Sequence, residues 1–343
     1  NRSAGGEMKH RFMGIVHDSV YITFLPFRQG AGGGQWCMIL RTFIIWLVVT
    51  TVCCLGCGEG EEAVRVDLSK REAVTVPAPG NVITYAYLPQ YSHAVSFARH
   101  GKLVTYLRQS TGLPLLQVFP NTFDEHVKMV DRGEIDISFS NPFIYIKLAE
   151  NGARAFARIV EKDDQPGFRG QIICRTDHPE IQTLQDCRGK RWIAVDPSSA
   201  GGFLFALGLF VDQGLSRSDF KEIAFAPGPG GKQEKVVLAV YAGKFDFGSI
   251  REGTLDVVGD KVDQSRLRVL AETPFYPGWV FAHRKDLDRQ VIDRIAQAMF
   301  RLDTLETGTD ILRSAGFKAV IRTKDQDYDS IRTLAAKLGM TER

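Results

Sequence analysis

From Asn81 onward, short apolar runs alternate with longer segments whose apolar positions recur at helical spacing. The runs NVITYAYLP, PLLQVFP and EIDISFS predict three strands, and the segments between them predict two helices. Ser92 is a suitable N-cap for the first helix and Gly112 a suitable stop, while Asn121 or Thr122 caps the second helix. The order β-α-β-α-β predicts an open α/β sheet of parallel character.

The same order of strands and polar loops then occurs a second time. The segment VDRGEIDISFSNPF at 130–143 matches VYAGKFDFGSIREG at 240–253, and RWIAVDPSSAGG, EIAFAPG and KFDFGSI predict three further strands. Two similar α/β lobes with a cleft between them account for this repeat. The strand and amphipathic helix predicted after Thr273 return to the first lobe. Because ligands of open α/β sheets bind beyond the carboxyl ends of the strands, the loops SNPF, DPSSAGG, PGPGGKQ and SIREG are predicted to line the cleft.

One of these loops opens a helix with almost no side-chain bulk. The stretch AVDPSSAGGFLFALGLFVDQGL is a short apolar strand, a turn of small residues and an apolar helix. Ser198 or Ser199 could cap the free N–H groups of that helix. The alternative is a bound oxyanion close to the N–H groups of Ala200, Gly201 and Gly202, because a helix N-terminus offers unpaired donors and partial positive charge. This stretch alone leaves both alternatives open.

A second helix start faces the predicted cleft at SNPF. Asn141 occupies the N-cap and Pro142 the first helical position, which are the preferred places for these residue types. Ser140 precedes the cap at the end of the strand. Phe143 and Tyr145 could line the cleft, but aromatic side chains at such positions more often belong to the core.

The glycine-rich segment APGPGGKQEK at 226–235 does not match a nucleotide-binding loop. A P-loop needs Gly at 226 and Ser or Thr at 233, where this chain has Ala226 and Gln233. What remains is a flexible loop that leads into a helix at Lys232, which is either an anion contact or a solvated surface charge. Arg251 follows a strand of the second lobe and is likewise either a bidentate anion contact or a surface charge.

Composition and charge narrow the function classes. The chain has 343 residues, 44% of them apolar and 24% charged, which is ordinary for a globular protein of one large or two smaller domains. A net charge of +3 and the lack of a basic run with interleaved aromatics exclude a nucleic-acid partner. No Cys/His spacing in the folded part suggests a metal, and no hydrolase or metalloprotease motif occurs. The sequence therefore predicts a binding protein without metal or cofactor rather than an enzyme, since the candidate nucleophile Cys174 has apolar neighbours typical of an inert thiol.

The N-terminal region is predicted to be processed. From Met38 the chain reads MILRTFIIWLVVTTVCCLGCGEGEEA, with one arginine, an apolar run and a cysteine cluster, which is the layout of a secretory signal. LGC resembles a bacterial lipobox, so Cys57 is the predicted lipidation site. The apolar run is short for a membrane span, which needs about 20 residues, but a retained membrane helix is the alternative. Residues 1–37 are predicted to be an upstream extension, 38–57 the signal, and the polar residues 58–80 a tether.

Four of the six cysteines fall in that N-terminal region, which leaves Cys174 and Cys187 in the folded part. An exported protein could join them in a disulfide. Both lie among apolar residues, so two buried free thiols are the favoured alternative.

Five tracts, taken together and in order, resemble the phosphate-, phosphite- and phosphonate-binding proteins of bacterial ABC importers. They are YLPQYSHAV…LVTYLRQSTG, GEIDISFSNPFIY, LQDCRGKRWIAVDPSSAGG, GGKQEKVVLAV and TPFYPGWVFAHRKDL, and the resemblance spans about Asn81 to Met340. It implies the two-lobed type II periplasmic binding protein fold, in which hinged lobes close on a ligand. It also implies a small oxyanion ligand, an ABC permease as partner, a monomer, and an extracytoplasmic location with attachment to the membrane through the lipid anchor.

The chain departs from this family at two places. Members usually carry Ser-Thr-Ser-Gly at positions equivalent to 199–202, where this chain has Ser-Ala-Gly-Gly, and Gly-Ser-His-Asp at 231–234, where it has Gly-Lys-Gln-Glu. Backbone donors remain, while two hydroxyls and a histidine are lost. Either Lys232 and Arg251 compensate with charge, or the ligand has changed.

These observations give a specific set of expectations. The first lobe is predicted to consist of residues 81–172 and 272–343, and the second of residues 173–271. The main alternative function is a membrane-anchored sensory or scaffolding lipoprotein with an altered ligand site. The predicted ligand-binding residues are Tyr91, Ser140, Asn141, Phe143, Ser198, Ser199, Ala200, Gly201, Gly202, Lys232, Gln233, Arg251 and Tyr276.

Overall fold

The computed structural model describes residues 82–161 and 167–340. The predictions for the signal, the tether and Cys57 lie outside the described residues. Within the described part of the chain, no helix is both long and apolar enough to cross a membrane.

The described residues contain thirteen strands, which form two larger sheets and one small one. The strands are β1 Ile83–Tyr87, β2 Leu115–Val118, β3 Ile137–Ser140, β4 Arg154–Val160, β5 Gly167–Phe168, β6 Gly170–Arg175, β7 Arg191–Ala194, β8 Glu222–Phe225, β9 Phe247–Arg251, β10 Leu267–Glu272, β11 Tyr276–Pro277, β12 Val280–His283 and β13 Ala319–Arg322. The first sheet has the order β13-β4-β12-β3-β1-β2, the second has the order β10-β6-β9-β7-β8, and β5 pairs with β11.

Helices connect these strands. The α-helices are α1 His93–Thr111, α2 Phe123–Asp131, α3 Pro142–Glu150, α4 Phe205–Asp212, α5 Lys232–Tyr241, α6 Thr254–Val258, α7 Arg289–Phe300, α8 Gly308–Ala315 and α9 Asp329–Lys337. A π-helical turn, Ala200–Leu204, runs directly into α4. Short 3₁₀ turns lie at Leu184–Cys187, Arg217–Asp219, Gly259–Lys261, Gln264–Arg266, Leu302–Thr304 and Asp325–Tyr328.

The two larger sheets share one topology, as the repeat in the sequence indicated. In the first sheet β3, β1 and β2 are parallel neighbours and β12 runs antiparallel to β3. In the second sheet β9, β7 and β8 are parallel neighbours and β6 runs antiparallel to β9. The strand after the second sheet, β12, joins the first sheet as predicted. Strands of the second sheet lie between Gly170 and Glu272, and the predicted lobe boundaries near these residues stay a prediction.

The predicted helix ends of the first sheet are confirmed in detail. The Ser92 side chain accepts a hydrogen bond from the Val95 N–H, and α1 ends at Gly112, whose φ of 64° is left-handed. The Thr122 hydroxyl caps α2 by accepting from the Glu125 N–H. These caps depend on residues within one helical turn, so the local sequence suffices to predict them.

Six strands escaped prediction: β4, β5, β6, β10, β11 and β13. The antiparallel β4 shows why: residues 156–160 alternate between partly buried and buried, but the sequence RAFARIV does not alternate between apolar and polar residues. A strand of this kind lacks the period-two pattern by which a half-buried strand is identified. The sheets are therefore mixed rather than parallel, with the parallel strands at the predicted positions.

The second sheet packs around an aromatic centre that contains both cysteines of the folded part. Trp192 is fully buried, its ring centroid 5.9 Å from that of Phe247 and 5.3 Å from that of Phe210. Cys174 and Cys187 are free and buried in the same core, as the favoured alternative predicted. Burial raises the pKa of the Cys187 thiol to about 12, so it stays protonated at neutral pH.

Candidate ligand-binding site

Loops at the carboxyl ends of the parallel strands of both sheets touch one another. The Asn141 Nδ2 amide donates to the Ser198 carbonyl at 3.3 Å, which joins the loop after β3 to the loop after β7. A Cβ at Gly230, after β8, would lie 3.0 Å from the Tyr91 carbonyl oxygen, after β1. Three of the predicted cleft loops and the residues just before α1 thus meet where ligands of open α/β sheets bind.

The turn of small residues after β7 is both a cap and a source of free donors. The Ser199 hydroxyl accepts from the Gly202 N–H at 3.2 Å, so the capping alternative is confirmed. Within the described residues, the N–H groups of Ala200 and Gly201 have no hydrogen-bond acceptor. The cap therefore occupies one of the donors at this helix start and leaves two available.

Close packing explains why this turn carries no bulk. A Cβ at Gly202 would lie 2.3 Å from the Val195 Cγ2 atom, so any side chain there would collide with the strand before the turn. A Cβ at Gly201 would lie 3.0 Å from the Phe168 ring and 3.4 Å from the Arg251 Cα atom. The turn is thus pressed against both the connection between the sheets and the end of β9.

Lys232 is neither solvated nor free. Its ammonium lies 2.5 Å from the Asp196 Oδ2 atom, and both side chains are about nine-tenths buried. Asp196 also accepts from the Ser198 N–H at 2.9 Å, so one carboxylate joins the lysine to the turn after β7. The lysine therefore brings its charge to the site already paired with a carboxylate.

Arg251 is also buried and paired. Its Nη2 atom donates to both Glu161 carboxylate oxygens at 2.6 and 2.7 Å. The guanidinium carbon lies 5.2 Å from the Phe168 ring centre and 5.4 Å from that of Trp279. Gln233 supports this residue from behind, because its Oε1 atom accepts from the Arg251 N–H at 3.0 Å. The surface-charge alternative for Arg251 is thus excluded.

A cavity of about 460 Å³ opens beside this arginine. Its lining includes Tyr91 from the loop after β1 and Gly316 from the end of α8. Gly253 and Asp256 line it from the end of the second sheet. Its full lining is Tyr91, Arg99, Glu161, Phe168, Arg251, Glu252, Gly253, Asp256, Val257 and Gly316. The cavity is therefore shared between the loops of the two sheets.

Buried polar atoms without partners surround the same junction. The described residues contain nine such atoms, and four of them lie on residues of this junction: Gln90 Oε1, Ser140 Oγ, Arg251 Nε and Trp279 Nε1. Most buried polar groups in proteins are hydrogen-bonded, so a cluster of unpartnered ones indicates a place for a polar ligand or water.

Two of these residues, Gln90 and Trp279, both contact Tyr87. The Gln90 Nε2 amide donates to the Tyr87 hydroxyl at 2.5 Å, and the Tyr87 and Trp279 ring centroids are 5.7 Å apart. Val280, next to Trp279, is the register partner of Ser140. Burial raises the pKa of the Tyr87 phenol, which remains protonated and uncharged in the site.

Of the predicted ligand residues, Tyr91 and Arg251 line the cavity beside Arg251, whereas Phe143 and Tyr276 pack against other apolar side chains. Phe143 is buried in the core of the first sheet, as the alternative reading for an aromatic residue at that position expected. The Tyr276 ring stacks on Phe205 with 4.1 Å between ring centroids, and it borders a separate cavity of about 340 Å³. Neither residue lines the cavity beside Arg251.

Several site residues had not been predicted: Tyr87, Gln90, Arg99, Glu161 and Trp279. Tyr87 ends a strand and Arg99 lies within a helix, so their local pattern indicates only secondary structure. Glu161 and Trp279 reach the site through long-range pairing of β4 and β12. For Trp279, the signal in the sequence is its place between Gly278 and a predicted strand, which could have suggested a position at the end of that strand.

Comparisons with known proteins agree on one family. The family model described as the periplasmic substrate-binding protein of phosphonate ABC transporters matches residues 85–328. The Phosphate-import protein PhnD of Mycolicibacterium smegmatis is 28% identical over 282 residues, which cover 77% of this chain and 88% of that protein. The structure of PhnD1 from Prochlorococcus marinus in complex with methylphosphonate has a TM-score of 0.68 at 16% identity, covering 76% of this chain and 99% of that chain.

A further relative has a different role. The Tetrathionate sensor histidine kinase TtrS of Salmonella typhimurium is 25% identical over 184 residues, which cover 50% of this chain and 31% of that protein.

Proposed function

Because this chain belongs to the family of periplasmic substrate-binding proteins of phosphonate ABC transporters, we propose that it binds a small phosphorus oxyanion and delivers it to an ABC permease. The ligand class comprises phosphonate, phosphite and phosphate. The proposed site is the junction between the carboxyl ends of the two sheets, beside Arg251 and the turn after β7.

The observation that carries this proposal is the cluster of buried, unpartnered polar atoms at that junction. Trp279 Nε1 and Arg251 Nε are donors, and the Ser140 hydroxyl can donate or accept. Together with the N–H groups of Ala200 and Gly201 they can surround a tetrahedral oxyanion from both sheets. These donors would replace the hydroxyls that the turn after β7 lacks relative to the family.

Ligand-dependent closure of the lobes is part of the proposal. The Asn141–Ser198 hydrogen bond and the close approach of Gly230 to Tyr91 join loops of the two sheets. Opening of the cleft would break these contacts, and a ligand bound to both sheets would favour keeping them. The proposal also retains a monomer outside the cytoplasm, anchored through the lipid on Cys57.

The alternative is a sensory or scaffolding lipoprotein that reports ligand occupancy to a membrane partner. The specific support is the similarity to a sensor histidine kinase, in which half of this chain matches about a third of that protein. Such a protein would close on its ligand in the same way, so the partner, and not the site, distinguishes the two functions.

A thermal-shift screen of the purified protein tests the ligand class. The panel comprises phosphate, phosphite, methylphosphonate, aminoethylphosphonate, sulfate and simple carboxylates. A ligand at one hundred times its dissociation constant adds about 2.7 kcal/mol of stability, which gives a clear rise in melting temperature. Stabilisation by phosphorus compounds supports the proposal, and stabilisation by carboxylates alone contradicts it.

A pair of tryptophan variants tests the site itself. Trp279→Phe keeps an aromatic ring and removes the unpartnered Nε1 donor, so affinity should fall about tenfold or more. Trp192→Phe is the matched control, because the Trp192 Nε1 atom already donates to Ser249 at 2.9 Å within the second sheet. The control should lower stability and leave affinity unchanged; equal affinity in wild type and Trp279→Phe would place the ligand elsewhere.

A further inference from the structure

The charges around the proposed site cancel one another. Each of the two buried cations has its own carboxylate, Lys232 with Asp196 and Arg251 with Glu161. All four side chains are more than four-fifths buried, so water screens these pairs only weakly.

The remaining charges near the site are also balanced. Arg99 lines the cavity and donates to the Ala315 carbonyl, and Lys147 donates to the Ser198 hydroxyl at 3.2 Å. The carboxylates of Glu252 and Asp256 line the same cavity, and Arg169 pairs with Glu252 at 2.7 Å and with Glu272 at 2.5 Å. The charged side chains that line the cavity, contact the turn after β7 or pair with such a residue are therefore five cations, Arg99, Lys147, Arg169, Lys232 and Arg251, and five anions, Glu161, Asp196, Glu252, Asp256 and Glu272.

Most of the free donors of the site are uncharged. They are the N–H groups of Ala200 and Gly201, the Trp279 indole and the Ser140 hydroxyl, and the Arg251 Nε atom belongs to a guanidinium that Glu161 already neutralises. Dipolar donors stabilise one buried negative charge well, but a second charge adds a further desolvation cost without a counter-charge.

The site also offers an acceptor for a ligand proton. Gln90 Oε1 is buried and unpartnered within the described residues, whereas a fully ionised oxyanion has no hydrogen to donate to it. A singly charged phosphonate or phosphate keeps one P–O–H group, which can make this hydrogen bond. Loss of that proton would leave the acceptor buried without a donor, which is costly.

From the cancelled charges and the buried acceptor we infer that the site selects singly charged tetrahedral oxyanions over doubly charged ones. The inference rests on the proposed function and specifies the protonation state of its ligand. Affinity for methylphosphonate then follows the fraction of the monoanion, and falls about tenfold for each pH unit above the second pKa of the ligand.

Titration calorimetry from pH 5.5 to pH 9 tests the inference with four probes. Methylphosphonate and inorganic phosphate change charge in this range, methanesulfonate stays a monoanion, and sulfate stays a dianion. The expected result is weaker binding of both phosphorus probes as pH rises, pH-independent binding of methanesulfonate, and sulfate affinity at least a hundredfold below that of methylphosphonate at pH 5.5. Affinity for the phosphorus probes that rises with pH, or sulfate binding equal to theirs, overturns the inference and leaves the proposed function intact. Absence of binding by every probe at every pH overturns both.

Charge variants give a second test. Glu161→Gln and Asp196→Asn each remove one negative charge from the site, so each should improve sulfate affinity at least tenfold relative to methanesulfonate. Asp310→Asn is the matched control, because Asp310 pairs with Lys102 on the surface, where both side chains are more than half exposed. An unchanged sulfate-to-methanesulfonate ratio in both folded site variants, or an equal change in the control, contradicts the inference. Two site variants are used so that misfolding of one, detected by its melting curve, does not prevent the test.

Discussion

The ends of β3 and β9 occupy equivalent places in the two sheets but are built differently. After β3, Asn141 caps α3 by accepting from two backbone N–H groups. After β9, the residue before α6 is Gly253, with a left-handed φ of 77° and no side-chain cap. The start of α5 in the same sheet is likewise preceded by a left-handed glycine, Gly231.

The contrast shows how one topology supports two kinds of contribution to a site. Helices α1, α2 and α3 satisfy their own N–H groups through Ser, Thr and Asn side chains, so the first sheet contributes side-chain atoms such as those of Gln90 and Trp279. The second sheet leaves backbone donors free at the turn after β7 and brings its cations already paired. A ligand held between them would therefore contact side chains on one side and mainly backbone on the other.

The largest effect is expected from breaking the charge pair at the end of β9. Arg251→Met leaves the Glu161 carboxylate buried without its partner, which should lower the free energy of unfolding by about 3–5 kcal/mol. The double variant Glu161→Met and Arg251→Met removes both charges and should recover most of this loss. Urea denaturation measures both; a double variant no more stable than the single one would show that the unpaired Glu161 carboxylate is not the cause of the loss.

The next largest effect is a pH dependence of the free energy of unfolding that arises in the core of the first sheet. His126 is buried in the first sheet, where its Nε2 atom lies 2.7 Å from the Ser138 hydroxyl, and burial lowers its pKa to about 3. Its neutral form is favoured by folding, so its contribution is fully present above the unfolded pKa of about 6.5 and is lost as pH falls toward 3. Between pH 6.5 and 4.5 the loss should be up to about 1.4 kcal/mol per pH unit.

Replacing this histidine isolates its share of the pH dependence. His126→Gln should reduce the slope of unfolding free energy against pH in that range, and the remaining slope should reflect other groups such as His100, whose pKa burial also lowers. His93→Gln is the control, because His93 is exposed at the start of α1. The same slope in wild type and His126→Gln would contradict a neutral buried His126.

Smaller effects are expected from glycine-to-alanine substitutions, one in each lobe. Gly202→Ala places a Cβ 2.3 Å from Val195 Cγ2 and should destabilise the second sheet by about 1–3 kcal/mol. Gly101→Ala lies within α1, where the nearest atoms to the new Cβ are 3.8 Å away on the Phe97 ring, so it should stabilise the protein by about 0.5–1 kcal/mol. Thermal unfolding compares the two; a Gly202→Ala variant as stable as the wild type would show that the turn after β7 can relax.

The smallest effect concerns the cap after β3. Asn141→Ala removes the side-chain acceptor for two N–H groups and should cost about 0.5–2 kcal/mol. Asn141→Asp keeps that acceptor and loses only the Nδ2 donor to the Ser198 carbonyl. Denaturation should therefore show near-normal stability for Asn141→Asp, and a loss as large as that of the alanine variant would mean that the contact between the loops matters more than the cap.

The sequence predicted the structural features that are determined by residues close together in the chain. The caps at Ser92, Thr122 and Asn141, the parallel strands and the convergence of the polar loops all follow from patterns within one element or from the repeat. It could not assign partners to Lys232 and Arg251, because Asp196 and Glu161 lie 36 and 90 positions away in the chain. A charged residue after a strand is the same local signal whether its counter-charge is a ligand, a carboxylate or water.

The position of the antiparallel strand β12 determines the order in which the two larger sheets can be completed during synthesis. The second sheet is assembled from one uninterrupted stretch, Gly170 to Glu272, whereas β12 enters the first sheet between β3 and β4 only after that stretch. A growing chain that has reached Glu272 therefore contains every strand of the second sheet, while β3 and β4 still lack the strand that joins them. The lobe that comes first in the described part of the chain is therefore completed after the lobe that follows it, because β12 fills the gap between β3 and β4.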